Sequence, residues 1–306
     1  MIRQDQLDWL AVKTAQAQER AKVAMAEHIA SLPIAHAPRA DGDRAVVPSP
    51  LLWGALFAAL PRGARPLLKN AQLGQAGNLK LHFSGERLGQ DDLDVFLALL
   101  RLSQDRHQDN NLGPQLGVVV RLSGGALLRM LGLTDTCGSG RAEGGAGSRD
   151  RLEASLRRLT GAYVELRGVR GEVFMGHLVT GAMRGRNGED WQVTLAYELA
   201  PAFFYGQAGV DLRVRRKLRG KPLGQWLHAW LSSHGGKPLR HSLETLRRLS
   251  GSVAAAHKFR QTLVRALGTL DDALGEVGLG LAWSIRDGVL TCHQKKAAIA
   301  RIGCGE

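Results

Sequence analysis

His257, Lys258, Gln261 and Arg265 all carry hydrogen-bond donors, and steps of one, three and four residues put them on one side of an α-helix. On the opposite side Phe259, Leu263, Ala266, Leu267, Leu270 and Leu274 recur at helical spacing as a single apolar stripe. Such a helix packs one face and offers donors on the other. Those donors match the edges of base pairs. Lys or Arg reaches guanine O6 and N7, Gln reaches adenine N6 and N7, and each good bidentate pair discriminates by about 1–3 kcal/mol. For any one of these residues a solvated surface position is the ordinary alternative. Four together, opposite an unbroken core stripe, favour binding in the groove of a duplex.

The flanking residues supply what would hold such a helix. Lys237-Pro238-Leu239 leads into Ser242, a good N-cap for the periodic segment 243–249, which Ser250-Gly251 closes. An uninterrupted run, 254–274, follows. Two strand-like runs, 279–285 and 289–293, are then joined by Asp287-Gly288, a pair suited to the positive φ angles of a two-residue hairpin. Short helix, turn, donor-bearing helix and hairpin predict a winged helix-turn-helix. Arg247 adds a donor from the short helix, and Arg286 at the hairpin is placed to touch phosphate or the minor groove.

The same order is foreshadowed upstream. The predicted elements begin with a buried short helix over 51–60, an alternating strand from Leu79, a helix over 91–102 with acids at its start, and a strand over 118–122. Ser123 then caps a short helix over 126–131 that stops at Gly132, and a Gly-rich connection, 134–147, precedes a helix over 148–159. In that helix Leu152, Leu156 and Leu159 form the core stripe. Arg151, Ser155 and Arg158 are read on a neighbouring exposed stripe, with Arg149 beside them, as a second set of DNA contacts. Strands over 162–167, 173–182 and 191–195 follow, the last two joined by Arg184-Gly185-Arg186-Asn187-Gly188, which puts Arg184 and Arg186 at a wing tip. Residues 197–205 read as a short closing helix. A helix over 218–233, with Leu223, Trp226, Leu227, Trp230 and Leu231 inside, opens the second unit. The expected fold is α+β: two tandem winged-helix domains, 51–207 and 208–306, behind an N-terminal helix and Pro-containing linker over 1–50.

Composition points the same way. The 306 residues include 41 Lys and Arg against 28 Asp and Glu, a net charge of +13. Arg213, Arg215, Arg216, Lys217, Arg219 and Lys221 crowd one stretch beside the single acid Asp211, and clustering of this kind suits a polyanionic partner. Arg215, Arg216 and Lys217 are therefore expected to grip the DNA backbone. The longest apolar stretch, 51–60, is too short to span a bilayer, so no membrane partner is expected. The start of the chain lacks an apolar signal region, and the expected compartment is the cytoplasm. Cys137, Cys292 and Cys304 are scattered, with neither disulfide nor zinc-ligand spacing.

Catalytic chemistry finds no support. Gly220-Lys221-Pro222 and Gly236-Lys237-Pro238 lack the spaced glycine and the Ser or Thr of a phosphate-binding loop. Tyr163, Tyr197 and Tyr205 could serve a nicking enzyme, but the closely spaced His pair that would hold its metal is missing. His234 with His241, or Asp91, Asp92 and Asp94, match no metal or acid–base template. The reading is a non-enzyme without metal or cofactor.

Two stretches carry a resemblance. Gln6-Leu7-Asp8-Trp9-Leu10 resembles the Gln-Leu-(Ser/Asp)-Leu-Phe peptide by which bacterial proteins dock on the sliding clamp; an ordinary amphipathic helix start is the alternative, since Trp9-Leu10 replaces Leu-Phe. Trp226-Leu227-His228-Ala229-Trp230-Leu231-Ser232-Ser233-His234, Pro238-Leu239, Leu243-Glu244-Thr245-Leu246-Arg247 and Gly251-Ser252 resemble the C-terminal winged helix of the TrfA-type plasmid replication initiators. A weaker likeness runs upstream through Trp191-Gln192-Val193 and 128–166, so that roughly residues 80–293 are covered. The resemblance implies two domains that bind directly repeated iterons at a plasmid origin and help to open adjacent A+T-rich DNA. It also implies a monomer–dimer equilibrium and, as partners, the host initiator, the replicative helicase and the sliding clamp. A winged-helix autorepressor is the alternative, and a nicking relaxase or nuclease ranks behind it.

Overall fold

A computed structural model of the protein describes residues 42–61, 63, 65–76, 79–106, 119–133, 147–168, 173–185, 190–196, 199, 202–203 and 205–296. The expected N-terminal helix, the clamp-like peptide Gln6 to Leu10, nearly all of the Gly-rich connection and most of 197–205 lie outside those residues. The described ones form a mixed α+β fold within one unit of the chain.

Its first half runs β1 (Arg44–Pro48), β2 (Phe57–Ala58), β3 (Leu67–Ala76), β4 (Leu79–Glu86), β5 (Leu88–Gly89), α1 (Gln90–Arg106), β6 (Val119–Ser123), α2 (Gly124–Met130), α3 (Ser148–Thr160), β7 (Tyr163–Arg167), β8 (Val173–His177), β9 (Val179–Arg184) and β10 (Asp190–Leu195). The second runs β11 (Gln207–Asp211), α4 (Leu212–Lys217), α5 (Pro222–Ser232), β12 (Leu239–Ser242), α6 (Leu243–Leu249), α7 (Ala256–Gly275), β13 (Leu279–Arg286) and β14 (Val289–Lys296).

Two hydrophobic cores result. The first gathers around α1, whose Leu93, Val95, Phe96, Leu97, Ala98, Leu99 and Leu100 are all buried, as in a helix surrounded by protein on every side. The second is built by the apolar stripe of α7 against Trp226, Leu227, Trp230 and Leu231 of α5. The change from one core to the other falls within α4, between Leu212 and Val214.

With β7 and β8 set aside, which lie between α3 and β9 but join a different sheet, the order helix, strand, helix, helix, strand, strand occurs twice: α1–β6–α2–α3–β9–β10, and α5–β12–α6–α7–β13–β14. The sheets correspond, β6-β10-β9 and β12-β14-β13. Each first strand ends on a serine, Ser123 or Ser242, which pairs with the first residue of the last strand, Asp190 or Val289. Each serine also caps the next helix, its Oγ accepting the amide of Ala126 or Thr245 at 3.1 Å. Nine residues on, Gly132 and Gly251 take φ of 67° and 66°, the left-handed turn that ends both helices. The hairpin expected at Asp287-Gly288 is present, with both residues at positive φ.

Several expectations need correction. Part of the stretch read as a linker is β1, buried and paired antiparallel with β11. Residues 51–60 are mostly buried but not α-helical; only a 3-10 turn, Ser49–Leu52, enters the stretch. Ala55 N–H donates to Leu73 O, and a Cβ on Gly54 would lie 2.2 Å from that oxygen, so the backbone is pressed onto β3 instead of coiling. The single strand expected over 173–182 breaks at buried Leu178: β8 joins the four-stranded sheet β3-β4-β7-β8, whereas β9 joins β10.

Candidate nucleic-acid interface

Helix α7 buries Phe259, Leu263, Ala266, Leu267, Leu270 and Leu274 and exposes His257, Lys258, Gln261 and Arg265, as the periodicity predicts. Arg260, also exposed, adds a cation to the same half of the helix, and its signal was already present in the spacing. The side chains of Lys258, Arg260 and Arg265 form no ion pair among the described residues. Charge along α7 runs against the macrodipole: its first half carries Lys258, Arg260 and Arg265 without an acid, and its last turns carry Asp271 and Asp272 without a base. Its N-cap, Ala255, offers no side-chain acceptor. Among the other helices, α1, α3 and α6 begin with acids and α3 and α6 end with bases, whereas α2, α4 and α5 also lack a first-turn acid. The first half of α7 thus presents cations to solvent with no acid on the same stretch of helix.

The turn entering α7 adds Val253, 78% exposed, an apolar group suited to a thymine methyl. Arg248, at the end of α6, is also exposed. Arg247 is half-buried and held by Glu244 at 2.8 Å and by Ala254 O at 3.2 Å, so it braces the turn between α6 and α7. Arg286 stands exposed at the hairpin.

In the first half the corresponding face is less cationic. The exposed stripe expected on α3 fails at two positions. Ser155 is 3% exposed and donates to Asp92 Oδ1 at 2.7 Å. Arg158 donates to the same oxygen through Nε at 3.0 Å and Nη2 at 2.8 Å. Asp92 is fully buried, and leaving its charge without these partners would be costly, so both side chains turn inward. Arg151 remains exposed and Arg149 half-buried, and both have interaction partners. Arg184 is exposed on β9, 3.6 Å from Glu153 and stacked over Trp191; Arg186 lies outside the described residues. Arg184, Glu153 and Arg157 line an open groove together with Leu156, Ala182 and Trp191.

The cations of the run 213–219 all have partners within the protein, although only Arg215 is buried. Arg215 is 2% exposed and donates to Asp94 Oδ1 at 2.6 Å, to Gln90 Oε1 at 2.8 Å and to Gln225 O at 2.7 Å. Arg213 pairs with Asp211 at 2.7 Å, Lys217 with Glu276 at 2.8 Å, and Arg216 with Asp43 and with Met130 O, both at 3.3 Å. Arg219 donates to Gly132 O. The expectation that Arg215 grips a backbone is corrected, since this side chain is buried, whereas Arg216 is half-buried and Lys217 exposed. Arg215 fastens α4 to α1, and Arg216 and Arg219 fasten this stretch to the end of α2.

Further bonds close the seam between the cores. Trp226 Nε1 donates to Gly54 O at 3.1 Å, Ala59 N–H to Ser250 O at 2.7 Å and Arg87 Nη2 to Gly251 O at 3.1 Å. Burial pushes the Asp94 carboxyl above its ordinary value despite Arg215. Burial, reinforced by the Arg215 charge, pushes His228 down to about 3, so this ring is neutral. Burial also raises the Cys292 thiol to about 11, which makes it inert.

Among the described residues no group of three or more His, Cys, Asp or Glu is arranged to hold a metal ion, and no helix is long and apolar enough to cross a membrane. Compared with known proteins, the chain matches no family model and no curated protein sequence.

Proposed function

We propose that the protein is a plasmid replication initiator of the TrfA type, built from two winged-helix units and binding directly repeated duplex DNA without chemistry of its own. The observation that carries this is the unpaired cationic half of α7, laid against the dipole of its own helix and flanked by Val253 and Arg286. The repeated order of elements supports two units, and the fastened seam favours a fixed spacing between their reading helices. Rigid units on adjacent repeats would strain the neighbouring duplex, which promotes melting without nucleotide hydrolysis. Gln6 to Leu10 is the segment offered to a sliding clamp, while the host initiator and replicative helicase are further partners.

Supercoiled DNA carrying the region around the gene tests this, probed by footprinting and a single-strand reagent, with and without ATP and magnesium. Protected repeats beside a newly reactive A+T-rich strand support an initiator. Protection without reactivity indicates a repressor, a strand break indicates a nuclease, and absence of protection removes the proposal.

A further inference from the structure

Arg87 lies at the seam beside the turn into α7, near enough to Arg65 for the two charges to repel, and neither has a carboxylate partner among the described residues. Arg65 packs over Gly89, where a Cβ would come within 2.4 Å of its Nη1. Arg87 packs against Gly251, where a Cβ would come within 2.5 Å of its Nη2. Arg65 Nη1 and Arg87 Nε are shielded from solvent and lack any hydrogen-bond partner. Elsewhere along the seam cations are matched: Arg215 with Asp94, Arg213 with Asp211, Lys217 with Glu276. Two neighbouring guanidinium groups, each with an idle N–H and no counter-charge, call for an anion with several acceptor oxygens. A tetrahedral oxyanion has the acceptors that guanidinium forks of this kind recognise. Both residues are partly exposed, although the two idle N–H groups themselves are covered.

We propose that Arg65 and Arg87 form a binding site for a phosphate group next to the Gly251 turn. Two sources share this chemistry, a backbone phosphate of a bound duplex and free phosphate. Only the first rests on the duplex-binding function proposed above. A phosphate held there would tie the turn that leads into α7 to the first half of the protein, through the same Arg87 that already donates to Gly251 O.

The full chain and its R65Q and R87Q variants are melted in low-millimolar inorganic phosphate and in chloride at matched ionic strength. Duplex affinity is then measured across salt concentrations. The expected result is a saturable rise in Tm with phosphate alone, lost in both variants. A fall of about 0.9 in the slope of log K against log salt for each variant assigns the site to a backbone phosphate. An unchanged slope with a lost phosphate response assigns it to free phosphate. Variants that match the unaltered protein in both measurements overturn the site. If the protein binds no duplex at all, the initiator proposal fails while the phosphate titration still decides the site. Should R87Q not fold, R65Q and R65K decide it: an unaltered phosphate response in both overturns the proposal.

Discussion

Replacing Arg215 by Met removes the cation that joins α4 to α1 while keeping most of the side-chain volume. Lost with it are bonds to Asp94, Gln90 Oε1, Gln90 O and Gln225 O, at 2.6, 2.8, 3.2 and 2.7 Å. Asp94 is then left without its counter-charge, and breaking one partner of a buried pair costs about 3–5 kcal/mol. That is a large share of a typical folding free energy of about 5–15 kcal/mol. Urea unfolding should show a lower midpoint with an unchanged m value. Burial already raises the Asp94 carboxyl, so this group binds its proton more tightly in the folded state than in the unfolded one. Its contribution is therefore present at low pH and fades as pH rises through the raised value. Losing Arg215 raises that value further, so the deficit of R215M should be greatest near neutrality and shrink as acidification neutralises Asp94. Equal stability of R215M and the unaltered protein, with a duplex salt slope reduced by about 0.9, would show instead that Arg215 grips a phosphate and would refute the buried seam.

His228, held at about 3 against an ordinary 6.5, binds its proton only after unfolding. Its contribution is complete above pH 6.5 and is lost as pH falls toward 3, at up to about 1.4 kcal/mol per pH unit. His228→Leu should flatten the urea midpoint between pH 7 and 5; an unaltered pH dependence would remove His228 as its source. Gly132 and Gly251 share nearly the same positive φ, at which a non-glycine residue costs about 1–3 kcal/mol. Only at Gly251 would a Cβ also meet a wall, 2.7 Å from the Ala58 Cβ, so Gly251→Ala should destabilise more than Gly132→Ala. The reverse order in paired thermal melts would contradict the tight packing of that turn. Ser242→Ala removes the cap of α6 and should cost about 1 kcal/mol; no change by the same measurement would mean that the cap is replaceable.

What the sequence made legible followed from periodicity and punctuation. The stripe of α7, the serine caps at 123 and 242, the glycine stops at 132 and 251 and the Asp287-Gly288 hairpin all depend on neighbours a few residues away, and each reappears in the structure. The misreadings share a different cause. Ser155 and Arg158 face inward because Asp92, on another helix, is buried there, and Arg215 does so because of Asp94; local spacing contains neither acid. A basic cluster thus looked like a backbone grip when its counter-ions and acceptors lay far away in sequence, at Asp43, Asp94, Met130, Gly132 and Glu276. β1 and β3 were missed for a related reason: short or bulged segments with little alternation become strands only when β11 and β4 supply partners.

Duplex affinity of the double variant Lys258→Ala, Arg265→Ala, measured on the repeats that footprinting identifies and on unrelated DNA, bears most directly on the role of α7. The expected result is loss of preference for the repeats, with circular dichroism and melting temperature preserved, because both side chains are exposed and make no ion pair among the described residues. Undiminished preference for the repeats in a folded double variant would mean that another surface reads the DNA.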